Sequence, residues 1–178
     1  MLLERRKADK KQNSVREFCV AGKREHNFNG YGFFRNILPA LAGSLVLNII
    51  HELGRKRLDN APRINEIAEE GIEKTWRAAG SKPPQEKELY SMALAGDIVA
   101  NTAFFRAISG NSPKETWAKG LLLGTAAGIG ALTLTKPLGL NDEPVNRNRN
   151  VKALTVLYYL VGGLVTAAVY NAVNRNAR

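Results

Sequence analysis

Polar and apolar positions alternate along this chain in blocks, with four long apolar stretches separated by charged segments. A bilayer core about 30 Å thick is crossed by a helix of about 20 mostly apolar residues rising 1.5 Å each. Residues 153–173 carry no charge and are flanked by Lys152 and Arg175. Residues 117–135 carry one, Lys119, placed where its stem can snorkel. Residues 36–53 are apolar through Ile50 and then meet His51 and Glu52. Residues 89–108 are alanine-rich and interrupted by Asp97 and Asn101, so this stretch inserts only with neighbours covering its polar atoms. The pattern predicts an all-α integral membrane bundle of about four transmembrane helices.

The punctuation agrees with this division. Ser112-Pro113-Lys114-Glu115 reads as a helix start, with a serine cap, proline at the first helical position and glutamate three residues after the cap. Residues 136–150 hold Pro137, Gly139, Pro144 and an Asn-Arg-Asn-Arg-Asn run, without apolar period, and read as a loop. Residues 62–79 are different. Ile64, Ile67, Ala68, Gly71, Ile72, Thr75 and Trp76 share one helical arc, and Glu66, Glu69, Glu70, Glu73 and Arg77 the other. This amphipathic helix either lies flat at the membrane interface, with Trp76 among the headgroups, or packs on a partner protein. Its acidic face adds weight to the partner, because anionic lipid would repel it.

Charge sharpens the picture. The formal net charge is +10 and the pI about 9.9, values that suit nucleic acid or an anionic membrane. The basic residues crowd a tail over residues 1–35 and the connections of a membrane domain over residues 36–178, and no nucleic-acid motif is present. Lipid is therefore the expected partner, with the tail on anionic headgroups at about 1 kcal/mol per basic residue. Four spans place both termini on one side, and Lys and Arg number 14 there against 12 opposite. Nine precede the first span, which usually sets orientation, so both termini are expected in the cytoplasm. Tyr31, Phe33, Phe34, Phe104, Phe105, Trp117 and Tyr170 would form an aromatic belt at that interface. The apolar run starts late and lacks a small-residue cleavage pattern, so the first span reads as an uncleaved anchor.

Catalytic chemistry finds little support. Cys19 is the single cysteine, and His26 and His51 are the two histidines, so no zinc site of Cys and His ligands can be built from this chain alone. His51-Glu52 suggests a zincin helix, but Arg55 stands where the second histidine is needed. No phosphate-binding glycine loop, nucleophile elbow or redox cysteine pair occurs. No catalytic residue, metal or cofactor is expected.

Polar residues within the apolar stretches carry the functional interest. A carboxylate at the bilayer centre costs about 2.5–3.5 kcal/mol on insertion scales, so Asp97 should face the bundle interior. Asn101 lies one turn on, and Asn48, His51, Glu52 and Arg55 share a face of the first helix. In one reading Asp97, Asn101, Asn48 and His51 form a proton- or ion-handling cluster. In the other, Asn48, Asn101 and a protonated Asp97 hydrogen-bond helices together while His51, Glu52 and Arg55 snorkel outward. Tyr158 and Tyr159, midway along the fourth stretch, should hydrogen-bond a neighbouring helix. Gly120, Gly124 and Gly128, spaced by four like a glycine zipper, and Gly162 and Gly163 let helices approach closely, either within the chain or between chains.

The run Leu38-Pro39-Ala40-Leu41-Ala42-Gly43, followed by His51-Glu52-Leu53-Gly54-Arg55 and Ala61-Pro62-Arg63, resembles small bacterial four-span membrane proteins of no assigned activity. That resemblance implies a fold and a bacterial inner membrane, and no site. The functional expectation is a non-enzymatic accessory or scaffolding subunit of a larger membrane complex, or a homo-oligomer, with a small proton- or ion-coupled transporter or channel component using Asp97 as the alternative.

Overall fold

The computed structural model of the protein describes residues 30–175, with side chains from residue 37 onward. Most of the basic tail, with Cys19 and His26, lies outside the described residues, as do the side chains of Tyr31, Phe33 and Phe34. Among the described residues every regular element is helical: α1 (Gly30–Arg57), α2 (Ile64–Ala78), α3 (Glu86–Phe105), α4 (Pro113–Thr133), α5 (Glu143–Asn146) and α6 (Arg149–Arg175).

Two of these, over Ile37–Arg57 and Arg149–Arg175, are long and apolar enough to cross a membrane. At 1.5 Å per residue they reach about 31 and 40 Å. The expectation of four such helices is met only in part. Glu86, Lys87, Glu88 and Asp97 charge α3, and Lys114, Glu115 and Lys119 charge α4.

Local signals explain the ends. Ser112 Oγ accepts the Glu115 N–H at 3.2 Å, Pro113 opens α4, and the Glu115 carboxylate accepts the Asn111 N–H at 2.9 Å. One free amide of the first turn is thus satisfied by the serine cap, and the glutamate reaches back to the amide just before that cap. Gly80 closes α2 with φ +74°: its N–H bonds the Arg77 carbonyl and the Ser81 N–H bonds that of Trp76. Gly139 repeats the arrangement, with its N–H on Lys136 and that of Leu140 on Thr135. Both pairs form the Schellman pattern, whose left-handed residue glycine adopts without steric cost.

The four long helices alternate in direction. As α1 advances from Gly43 to Gly54 its neighbours on α6 run back from Thr166 to Tyr158. Gly120, Gly124 and Gly128 of α4 likewise meet Gly163, Leu160 and Val156 in descending order. Ser44 and Glu52 of α1 bond Ile98 and Tyr90 of α3. Residues 37 and 175 therefore lie at the same end of this unit. The central helix is α6, which buries Val151, Thr155, Tyr158, Tyr159, Gly162, Gly163, Thr166, Ala167, Tyr170 and Asn174.

Several expectations need correction. The first helix runs from Gly30 to Arg57 rather than 36–53, because His51, Glu52 and Arg55 continue its hydrogen-bond ladder instead of ending it. Residues 136–150 are not a plain loop, since Pro144 and Val145 are buried in α5 and the last helix starts at Arg149. Asn148 Oδ1 accepts the Val151 N–H at 2.9 Å there, capping α6 four residues before its apolar run. Arg147 donates to the carbonyls of Asp59, at 2.6 Å, and Ala61, at 3.0 Å, fastening the α1–α2 connection to the α5–α6 connection. Of the aromatic belt, Phe104 and Trp117 are exposed, but Phe105 and Tyr170 are buried because they point between helices.

Candidate functional site

The long helices meet through small residues, and this sets where polar groups go. A Cβ on Gly120 would stand 2.8 Å from that of Ala167, one on Gly124 3.0 Å from the Leu160 Cα, and one on Gly128 2.7 Å from the Val156 Cα. Gly162 lies against Phe105, Leu47 and the Gly43 carbonyl, and Gly163 against Gly124. The glycine stripes of α4 and α6 thus face each other within the chain. Close approach brings more atom pairs into dispersion contact, which must replace the hydrophobic drive wherever lipid surrounds the helices.

The amphipathic helix α2 also packs against other elements of the chain. It packs on α3 and touches α5, and a Cβ on Gly71 would stand 3.8 Å from Leu140. Ile64 packs against the core, and Ile67, Ile72 and Trp76 are half-buried. Part of this arc thus packs within the chain, although no residue of α2 is fully buried.

Between α1, α2 and α3 lies a cavity of about 40 Å³ lined by Asn48, His51 and Glu52 from the first, Asn65 from the second, and Tyr90 and Asp97 from the third, among apolar neighbours. Helical spacing builds this wall. Tyr90, Ala93, Leu94, Asp97 and Asn101 recur at intervals of three and four along α3, as do Ser44, Asn48, His51, Glu52 and Arg55 along α1, and each set shares one face.

Across the contact, the Ser44 hydroxyl donates to the Ile98 carbonyl at 3.0 Å and the Asn48 amide to the Ser44 carbonyl at 3.0 Å. Asp97 is hydrogen-bonded by the side chains of Asn48 and Asn101. Asn101 also reaches the Tyr159 hydroxyl on α6. A polar line thus runs from α1 through Asp97 to α6. The sequence-predicted set of Asp97, Asn101, Asn48 and His51 is brought together at this place.

His51 does not snorkel. Its ring stands edge-on to Tyr158 and Tyr159, with centroids at 5.1 and 5.8 Å. Both imidazole nitrogens are buried without a hydrogen-bonding protein atom. An uncharged imidazole carries one N–H donor and one lone pair, and a buried polar atom left without a partner costs about 1–3 kcal/mol.

Glu52 behaves differently. It accepts from Arg55 and Lys56 at 2.9 Å each and from the Tyr90 hydroxyl at 3.0 Å, while the Arg55 guanidinium lies over the Tyr90 ring at 5.6 Å. That carboxylate is already paired with two cations, which leaves Asp97 as the cavity's unpaired acid. Tyr90, Asn65 and Tyr159 complete the site, although sequence reasoning did not place them there. The spacing back from Asp97 was a usable signal for Tyr90; nothing in the sequence locates Asn65 or Tyr159 opposite it.

Among the described residues no group of three or more His, Cys, Asp and Glu side chains is placed to hold a metal ion. Comparison with known family models, with curated proteins and with solved structures gave no match to this chain.

Proposed function

We propose that this chain is a multi-pass membrane protein in which the pocket between α1, α2 and α3 handles a proton or a small cation through Asp97, as a small transporter or channel component. The observation that carries this reading is the convergence of Asp97, Asn48 and His51, from two helices, on one cavity, with Asn101 beside Asp97. A carboxylate and a histidine inside an apolar bundle are expensive to keep, and a pathway for charge is a common reason for keeping them.

Crossing by all four long helices is part of the proposal. Asp97 and Asn101 are turned inward on α3, while Met92, Leu94, Val99 and Phe104 are exposed; Leu121, Leu122 and Ile129 are exposed on α4. Charged helix ends then sit in the headgroup layers, and packing supplies what composition alone does not. The alternating directions suit termini on one side, which the basic tail assigns to the cytoplasm of a bacterial inner membrane.

Reconstitution into liposomes tests the function. An imposed pH or sodium gradient should drive flux in the parent protein and none in Asp97→Asn, with both variants folded by circular dichroism. Equal flux in the two defeats the proposal.

A second reading, an accessory subunit of a larger membrane complex, draws on the apolar side chains that remain exposed, including Ile49, Val99 and Leu122. The glycine stripes are occupied within the chain and the inner face of α2 is partly so, which leaves these outer faces for a membrane partner to cover. Native mass determination of gently solubilised protein should then find larger proteins in fixed ratio. A lone monomer removes this reading.

A further inference from the structure

We propose that the charge handled in this pocket is a proton, held on a couple of His51 and Asp97 joined by water, rather than a metal or alkali cation. This rests on the functional reading above and narrows it.

Three observations converge. Both nitrogens of His51 are buried without a protein partner, and the residue itself lines the cavity. Asp97 lines the same cavity from the facing helix and is held in place by Asn48 and Asn101. The cavity measures about 40 Å³, where one water needs about 10–15 Å³ and two to four polar partners. Two or three waters therefore fit, Asp97, Asn48 and Asn65 offer partners for them, and on this proposal one of them sits against a nitrogen of His51 as the imidazole turns toward the cavity. Water is the smallest group that is both donor and acceptor, which is what an imidazole with one N–H and one lone pair requires.

Cations fit less well. Pro62, Ile64, Ala68, Ala93 and Leu94 form much of the wall, and of its two carboxylates Glu52 is already paired with Arg55 and Lys56. Imidazole nitrogen suits zinc, copper, iron or nickel rather than the hard alkali and alkaline-earth ions, and among the described residues no set of three acid, thiol or imidazole ligands stands together.

The step conserves atoms and charge. Protonated Asp97 releases its proton to a bridging water, which passes one of its own to the free nitrogen of His51. The products are a carboxylate and an imidazolium, and the water is unchanged. The groups facing this couple are Glu52, paired with Arg55 and Lys56, on α1; Tyr90 on α3; Tyr158 and Tyr159 on α6; and uncharged Asn65 on α2.

The test needs no flux, so it stands apart from the transport assay. With only two histidines in the chain, a His26→Gln background leaves one imidazole to follow by nitrogen NMR in lipid nanodiscs. Its titration midpoint should move by at least about one pH unit on Asp97→Asn and should not respond to sodium or zinc ions. An unmoved midpoint, or a shift on adding either ion alone, overturns the proposal. Infrared spectra of His51→Gln read the other partner. The Asp97 carboxyl band, identified by its displacement in Asp97→Glu, should shift in frequency and titration midpoint; a band unaltered by His51→Gln overturns the couple even where Asp97→Asn fails to fold. Flux without this coupling would leave a transporter with another ion. Coupling without flux would leave a proton site in a protein that does not transport.

Discussion

Gly163 of α6 lies so close to Gly124 of α4 that a methyl group on Gly163 would stand 2.9 Å from the Gly124 Cα. The atom in the way is backbone, which no rotamer change can move. Substituting alanine at Gly163, or at Gly128 opposite Val156, should therefore force the helices apart and destabilise the protein by about 1–3 kcal/mol, the usual cost of overpacking. Gly96 is the control, since a methyl there meets nothing within 4 Å. Gly96→Ala should be neutral or stabilising by about 0.5–1 kcal/mol, because it removes a helix-interior glycine. Denaturant midpoints of the three variants decide the matter, and equal midpoints would contradict the packing described.

Arg147 makes a second long-range clasp. Arg147→Met keeps the stem but removes both donors to the Asp59 and Ala61 carbonyls. Ala61 is buried, so its carbonyl loses a charged donor with little water to replace it, and a loss of about 1.5–3 kcal/mol is expected. Hydrogen exchange should rise at residues 58–63. Unchanged protection there would place the clasp's contribution near zero.

The start of α4 gives a local test. Ser112→Ala deletes the acceptor for the Glu115 N–H and should cost about 1 kcal/mol. Glu115→Ala should expose the Asn111 amide to exchange. If Ser112→Ala leaves the unfolding midpoint unchanged, the cap is ornamental.

Glu70 links acidity to the seating of α2. The Lys74 ammonium first, and then the Asn141 N–H, hold its carboxyl below the usual carboxylate range. A folded-state value below the unfolded one gives stability that is present above the unfolded value, about 4.3, and is lost as pH falls through the folded value. The parent protein should therefore lose more stability than Glu70→Gln on acidification below about pH 4.3. The difference should be small, because the pair is partly solvated and screened. Parallel acid unfolding curves for the two proteins would remove the link.

Much of the fold was legible before any coordinates. The cap at Ser112, the apolar period of α6, the two-faced pattern of α2 and the inward position of Asp97 depend on spacing along one helix, and spacing is written in the chain. Those features survive whatever the neighbours do. Helices α1 and α6 extend beyond the apolar stretches 36–53 and 153–173, because a helix ends where its hydrogen-bond ladder fails and not where apolar composition does.

What the sequence could not reveal is which helix faces which. Phe104 and Phe105 are adjacent and chemically alike, yet one is exposed and the other buried, a difference fixed only by Gly162 opening space for the Phe105 ring. The glycine stripes promised close approach without naming a partner, and α6 proves to be it. His51 follows the same logic. Its face on α1 was readable, but its seclusion depends on Tyr158 and Tyr159, about a hundred residues away. Sequence determines the periodic and the local, because those interactions close within one or two helical turns. Only the tertiary structure decides burial and pairing across the chain, because these arise where several helices compete for the same volume.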